Sequence, residues 1–307
     1  MNDYVIETNK LTKIYKKQRA VDQVDMHVRR GAIYGLIGKN GAGKTTIMKM
    51  LTGMANPTEG EMRLFGSDGK EVSTSQMRVG ALIERPGVYG DKSAFQNMKL
   101  KALAMGVYRK ENIQEILELV GLSDTGDKKV KSFSMGMLQR LGIALALIGT
   151  PDMLILDEPV NGLDPQGMIE VRNLIRRLNR EYHMTILISS HILEELSKVV
   201  TDYGIIDCGE LIQEISAEEL EKSCEKKIEI ITPETAKATV ALEGMGITEY
   251  TVADEKTVYV YQGMEMLPAI NRGLAQRDVP VIEIKMQNDS LEEFFLKTVE
   301  DRRAKVC

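Results

Sequence analysis

The run Gly38, Lys39, Asn40, Gly41, Ala42, Gly43, Lys44, Thr45 and Thr46 fits G-x-x-x-x-G-K-[ST], a pattern whose chemistry is phosphate binding. Glycines let a backbone wrap close to an anion, so that successive N–H groups point inward and the following helix adds its positive end. In this pattern Lys44 reaches β- and γ-phosphate oxygens, and the Thr45 hydroxyl is a hard oxygen donor suited to Mg²⁺. A second candidate lies downstream, where the apolar residues Met153, Leu154, Ile155 and Leu156 run into the carboxylates Asp157 and Glu158. Asp157 is placed to hold Mg²⁺ directly or through water, and Glu158 to act as general base on a water attacking the γ-phosphate.

Such residues work only if rigid elements deliver them to one place. Ala32 and Ile33 to Ile37 read as a buried strand entering the glycine loop, and Ile47, Met48, Met50 and Leu51 as the helix leaving it. The apolar run before Asp157 is a buried parallel strand, which brings its acids to the C-terminal sheet edge where ligands of such sheets sit. Further strands are expected at Thr185 to Ile188 and at Ile205–Ile206, with a helix carrying Ile169, Val171, Leu174, Ile175 and Leu178 between. Upstream, residues 4–7 and 24–28 alternate as half-buried antiparallel strands, with 13–19 as the polar turn between them. Residues 93–131 turn helical, with Phe95, Met98, Leu100, Leu103 and Met105 in one stretch and Ile113, Ile116, Leu117 and Val120 in the next.

The chain has 307 residues, 43% hydrophobic and 28% charged, which suits two soluble domains. A net charge of −5 gives no basic surplus for nucleic acid, and none is expected as a partner. Cys208, Cys224 and Cys307 are odd in number and far apart, against a disulfide framework or a zinc site. The N-terminus lacks the basic and apolar segments of a signal peptide, and no apolar run approaches the roughly 20 residues that span a bilayer. Any membrane crossing therefore falls to another chain. The 18 methionines read as flexible core filler.

Taken with Ser132-Phe133-Ser134-Met135-Gly136-Met137-Leu138-Gln139-Arg140, Val160-Asn161-Gly162-Leu163-Asp164-Pro165 and Ser189-Ser190-His191, the loop and the acidic strand resemble the ordered motif set of ATP-binding cassette (ABC) transporter ATPases. The resemblance covers roughly residues 4 to 216. It implies an α/β P-loop NTPase fold with an antiparallel β-subdomain and a helical insertion at about 88–140. It also implies ATP and Mg²⁺ as cofactors, and catalytic roles for Lys44, Glu158 and His191. A second cassette, most simply an identical copy, would offer Ser134, Met135, Gly136 and Met137 to the opposite γ-phosphate, with the helix beginning near Met137. Asp164 would lie across that dimer interface. Tyr15 matches the residue on which adenine stacks, the alternative being a half-buried strand tyrosine.

Two departures narrow the resemblance. Glu84 stands where the family carries a glutamine, adding a negative charge in the coupling loop beside Mg²⁺, and Met135 and Met137 replace signature glycine and glutamine. Both are similar to a subgroup serving bacterial exporters that protect against bacitracin and lantibiotics. The implied function is an ATPase powering export of an antimicrobial peptide, cytoplasmic and peripheral at the inner face of the membrane, reached only through transmembrane permease subunits docked on the helical insertion. The alternatives are a nucleotide-sensing ABC module without transport turnover and a non-transport ABC ATPase. The latter would need a long basic linker or coiled-coil insertion that this sequence does not contain.

Composition turns highly charged near 219–226, placing a boundary between a cassette at 1–218 and a second domain at 222–307. The order β-α-β-β-α-β-α there suggests a small ferredoxin-like α+β domain. Its helices are expected to open at Thr232-Pro233, at Pro268 and at Ser290, the last with Glu293 as a capping box, and its last strand to cover 281–285. Dimer support, docking, sensing and added stability all remain open for it.

Overall fold

The computed structural model describes residues 3–68, 71–191, 197–223, 226–288 and 291–306. The chain divides into two compact units, Met1–Ala217 and Glu218–Cys307. The first opens with β1 (Tyr4–Tyr15), β2 (Gln18–Val24) and β3 (His27–Arg29), continues through β4 (Ile33–Ile37) and α1 (Lys44–Leu51), and returns in β5 (Glu59–Leu64), α2 (Val72–Gln76) and β6 (Val79–Leu82). Helices α3 (Ala94–Ala104), α4 (Lys110–Leu119) and α5 (Met135–Leu147) follow. Then come β7 (Met153–Asp157), α6 (Pro165–Tyr182), β8 (Thr185–Ser190), β9 (Asp202–Asp207) and β10 (Glu210–Ser216).

Six strands form the main sheet in the order β10-β9-β4-β8-β7-β6, parallel throughout except for β10, which pairs antiparallel with β9. Every residue of β4, β7 and β8 is buried, which is why their central residues read as apolar runs while the buried polar ones, Thr185, Asp157, Ser189 and Ser190, lie at strand ends. Ile37 pairs with Ser190 and Asp157 with Ser189, so the C-terminal ends of these three strands finish level. Ile47, Met48 and Leu51 of α1 pack into the core formed with Leu36, Ile155 and Leu187. Fully burying each such side chain contributes about 1.5–3 kcal/mol, which anchors the loop between β4 and α1 at both ends.

The antiparallel β-subdomain places β1 between β2 and β3, with β5 also paired to β1. Its first hairpin is longer than the alternation suggested. The expected turn at 13–19 shrinks to Lys16 and Lys17, because β1 runs on to Tyr15 through register shifts near Leu11 and Lys13, and left-handed backbone at Lys10 (φ 48°) breaks the period-two pattern. Buried Thr8 is accommodated by donating its hydroxyl to the Val24 carbonyl.

In the helical insertion, Met98 is buried but Leu100, Leu103 and Met105 stand 43%, 53% and 47% exposed, so their apolar periodicity marks an outward face and not core. Ile113, Ile116, Leu117 and Val120 are buried as their spacing requires. Helix α6 buries Val171, Leu174, Ile175 and Leu178, whereas Ile169 points outward. No helix among the described residues is long and apolar enough to cross a membrane.

The second unit begins in α7 (Ala217–Ser223) and contains β11 (Lys226–Ile231), α8 (Thr235–Glu243), β12 (Tyr250–Val252), β13 (Thr257–Val260), α9 (Leu267–Gln276), β14 (Glu283–Asn288) and α10 (Leu291–Val306). Its sheet runs β12-β13-β11-β14, all pairs antiparallel. Ile228, Ile230, Val258 and Val260 pack against Ala238, Leu242, Ile270 and Leu274 of α8 and α9. Helix α8 starts at Thr235, after Thr232 and Pro233. Strand β14 runs later than 281–285 because apolar alternation continues to Met286 and pairing with β11 decides the bounds. The capping box expected at Ser290 lies outside the described residues.

Candidate functional site

The site is built where β4, β7 and β8 end. Gly43 caps α1 with φ 110°, and a Cβ there would meet the Ala20 carbonyl oxygen at 2.6 Å; a Cβ on Gly38 would meet the Ile206 oxygen at 2.3 Å. Both positions accept only glycine, and the loop they permit turns its backbone toward the start of α1. Lys44 is buried, its Nζ donating to the carbonyls of Gly38 (2.6 Å) and Lys39 (3.2 Å) and lying 3.5 Å from Glu158 Oε1. The cation thus lies across the loop mouth, near an acid at the end of β7, two strands away in the sheet.

Asp157, also buried, is fixed from two sides: Thr45 Oγ1 donates to its Oδ2 at 2.8 Å, and Ser189 Oγ to its Oδ1 at 2.5 Å. Ser189 Oγ in turn accepts from the backbone N–H of Glu158 at 2.9 Å. Glu158 adopts left-handed backbone (φ 50°), a conformation that costs on the order of 1–3 kcal/mol for a non-glycine residue. His191 Nδ1 lies 2.7 Å from Glu158 Oε2. One carboxylate therefore spans a lysine and an imidazole, an arrangement that fixes the orientation a proton acceptor needs.

The donor set at Thr45 and Asp157, a hydroxyl beside a buried carboxylate, fits Mg²⁺. That ion is usually held by one or two carboxylates plus substrate phosphates and does not require a cage of protein ligands. Glu84, expected beside it, ends on the Lys49 ammonium of α1 at 2.6 Å instead. That hydrogen bond and charge hold the Glu84 carboxyl below its usual range and raise Lys49 above its own. Glu84 too has left-handed backbone, φ 62°.

Tyr15, 46% exposed at the end of β1, borders the same depression as Asn40, Gly41, Ala42 and Thr46. Lys13 Nζ lies 5.1 Å from the centre of its ring, a cation–π contact. Sequence reasoning gave no role to several residues that line this depression or hold Asp157. Ser189 sat inside a quoted motif, but a serine carries no signal of its own. Arg19, paired with Asp22 at 2.5 Å, and the two-residue turn Cys208-Gly209, whose Gly209 N–H donates to the Ala42 carbonyl, also line the depression. Of these only Cys-Gly between two strands is a readable hairpin sign.

The remaining motif residues gather elsewhere. Ser134 is the N-cap of α5, accepting from the Met137 N–H at 3.2 Å, so the helix begins at Met135 and not near Met137. Asp164 caps α6 the same way, accepting from Gly167 N–H at 3.0 Å. The two helix starts touch: a Cβ on Gly162 would meet Met135 Sδ at 3.0 Å, and one on Gly136 would lie 3.7 Å from Gly167 Cα. Among the described residues no hydrogen bond or ion pair joins Ser134, Met135, Gly136 or Met137 to the phosphate loop.

Comparison with known proteins agrees with this geometry. The ABC transporter family profile matches residues 21–161. The bacitracin transport ATP-binding protein BcrA of Bacillus licheniformis is 41% identical over 96% of this chain and 97% of its own length. The lantibiotic transport ATP-binding protein SrtF of Streptococcus pyogenes is 44% identical over 68% of this chain and 90% of its own. Among solved structures, the dimeric post-hydrolysis ATP-binding cassette MJ0796 bound to ADP and Pi aligns with a TM-score of 0.62 over 69% of this chain and 98% of that one, at 21% identity, a likeness of fold. The glycine loop, the paired acids and these relatives together establish that the chain belongs to the ABC transporter ATP-binding proteins, a family of P-loop ATPases.

Proposed function

We propose that this ATPase drives export of an antimicrobial peptide of the bacitracin or lantibiotic type, working through separate permease subunits at the inner face of the membrane. The cargo reading rests on relatives named for transport of those peptides that align over nearly the whole chain in one case and the first unit in the other. The exposed Leu100, Leu103 and Met105 on and just after α3 form the face we assign to permease docking.

The observation that carries the catalytic reading is Glu158 held between Lys44 and His191 at the level strand ends. Loop N–H groups and Lys44 bind the β- and γ-phosphates, and Tyr15 takes the adenine. Thr45 and Asp157 would hold Mg²⁺, which when bound neutralises charge on those phosphates. Water attacks the γ-phosphorus as its bond to the bridging oxygen breaks. Glu158 accepts the water's proton, and His191 keeps the carboxylate oriented. Ser134, Gly136 and Asp164, at two adjacent helix starts, are the surface offered to a second cassette, and the dimeric cassette of the same fold supports that arrangement. For the second unit, the strand order β12-β13-β11-β14 with helices after β11 and β13 supports a ferredoxin-like reading.

Glu158→Gln should keep ATP binding and lose turnover by about 10²- to 10⁴-fold; turnover at the parental rate would refute the base assignment. Deleting the gene in its host should lower the bacitracin or lantibiotic concentration that stops growth, and unchanged resistance to both would refute the cargo.

A further inference from the structure

Strand β14 forms one border of the second unit's sheet, bonded on one side to β11. The other border, β12, has three residues, too short to receive another strand, whereas β14 has six. Ile282 extends the run, its N–H donating to the Ile231 carbonyl at 2.8 Å. Two large apolar side chains stand out here, Ile282 at 68% and Met286 at 61% exposure. Between them Glu283 and Lys285 are about half exposed and 3.0 Å from each other, and Lys285 is also held by Glu229 at 2.9 Å.

Ile282-Glu283-Ile284-Lys285-Met286 is symmetric in chemistry: apolar, acid, apolar, base, apolar. Laid antiparallel on a copy of itself about Ile284, it sets Ile282 opposite Met286 and Glu283 opposite Lys285, twice over. Apolar and opposite-charge cross-strand pairs are the stabilising kinds, and like charges directly opposite destabilise. We infer that β14 is a self-pairing edge, to which a second copy of this chain adds its own β14 and so joins two four-stranded sheets into one. An edge lysine ordinarily keeps other strands away. Here the copy's Glu283 meets it, so the same residue that rejects unrelated strands admits this one. The contact falls below the roughly 1,000 Å² of a lasting interface, so the association is weak and reversible. This inference concerns the second unit and does not depend on how the cassette handles nucleotide.

The test uses the full chain without nucleotide, followed by sedimentation velocity over a concentration series to about 1 mM. Glu283→Lys alone sets lysine against lysine, and Lys285→Glu alone sets acid against acid. Each should weaken self-association on the order of tenfold. Mixed in equal amounts, the two variants present opposite charges at both pairs and should recover the parental association, which no local folding defect would produce. A parent that stays monomeric, single variants that associate as the parent does, or a mixture no tighter than its components would each overturn the inference. Should a charge reversal lower the unfolding midpoint, Met286→Thr on the exposed edge takes its place, and association unchanged by it would overturn the inference equally.

Discussion

Glu84 and Lys49 show how one residue sets a local electrostatic state. The family glutamine could hold water or metal without charge, whereas this glutamate is bound to a lysine on the helix that follows the phosphate loop. Its folded-state acidity is stronger than that of the unfolded chain. The favourable contribution is therefore fully present above the ordinary glutamate value of 4.5, diminishes below it as the unfolded chain takes up its proton, and is gone once pH has fallen through the lower folded value. Because the pair is largely exposed, salt screens it and its effect on stability is small. The expected outcome is a carboxyl titration of Glu84, followed by NMR, with its midpoint below 4.5 in the parent and displaced upward in Lys49→Ala. A midpoint unmoved by Lys49→Ala would show that another group holds the carboxylate.

At the scale of elements, the starts of α5 and α6 form one unit, because each is closed by an oxygen from its own N-cap and glycines let the two turns meet. Asp164 therefore has a structural duty besides any role across a dimer. Asp164→Ala should cost about 0.5–2 kcal/mol by urea unfolding, and Asp164→Ser should restore most of it. If serine restores stability but not turnover, the carboxylate itself is needed in the reaction. The sequence made some of this legible and not the rest, for reasons of periodicity. Strands β4 and β7 announced themselves because burial on both faces leaves no polar position before the terminal Asp157, and the lysine loop because few glycine patterns serve another purpose. The β1–β2 hairpin did not, since left-handed residues such as Lys10 shift the register without any glycine to mark them. Ser189 was hidden because its value lies in reaching Asp157 from the next strand, a relation that exists only after pairing.

Across the whole molecule, apolar periodicity says that a side chain wants cover but not which chain provides it. Leu100, Leu103 and Met105 obey helical spacing as well as Met98 does, yet only Met98 is enclosed by its own unit. A chain that carries no membrane-crossing helix among its described residues, and belongs to a family that works on transporters, has reason to keep such a face uncovered. The consequence is separable from folding and from hydrolysis. Leu103→Glu adds a charge to a side chain already half in water, so unfolding should shift by no more than about 0.5 kcal/mol and basal ATP turnover should stay at the parental level. Copurification with the permease subunits, by contrast, should fall sharply, because a charge buried without a partner at an interface is costly. Met54→Glu, on another exposed methionine at 64% exposure, serves as the control and should leave copurification intact. If both substitutions weaken the complex alike, or neither does, the outward face of the helical insertion is not the surface that receives the permease.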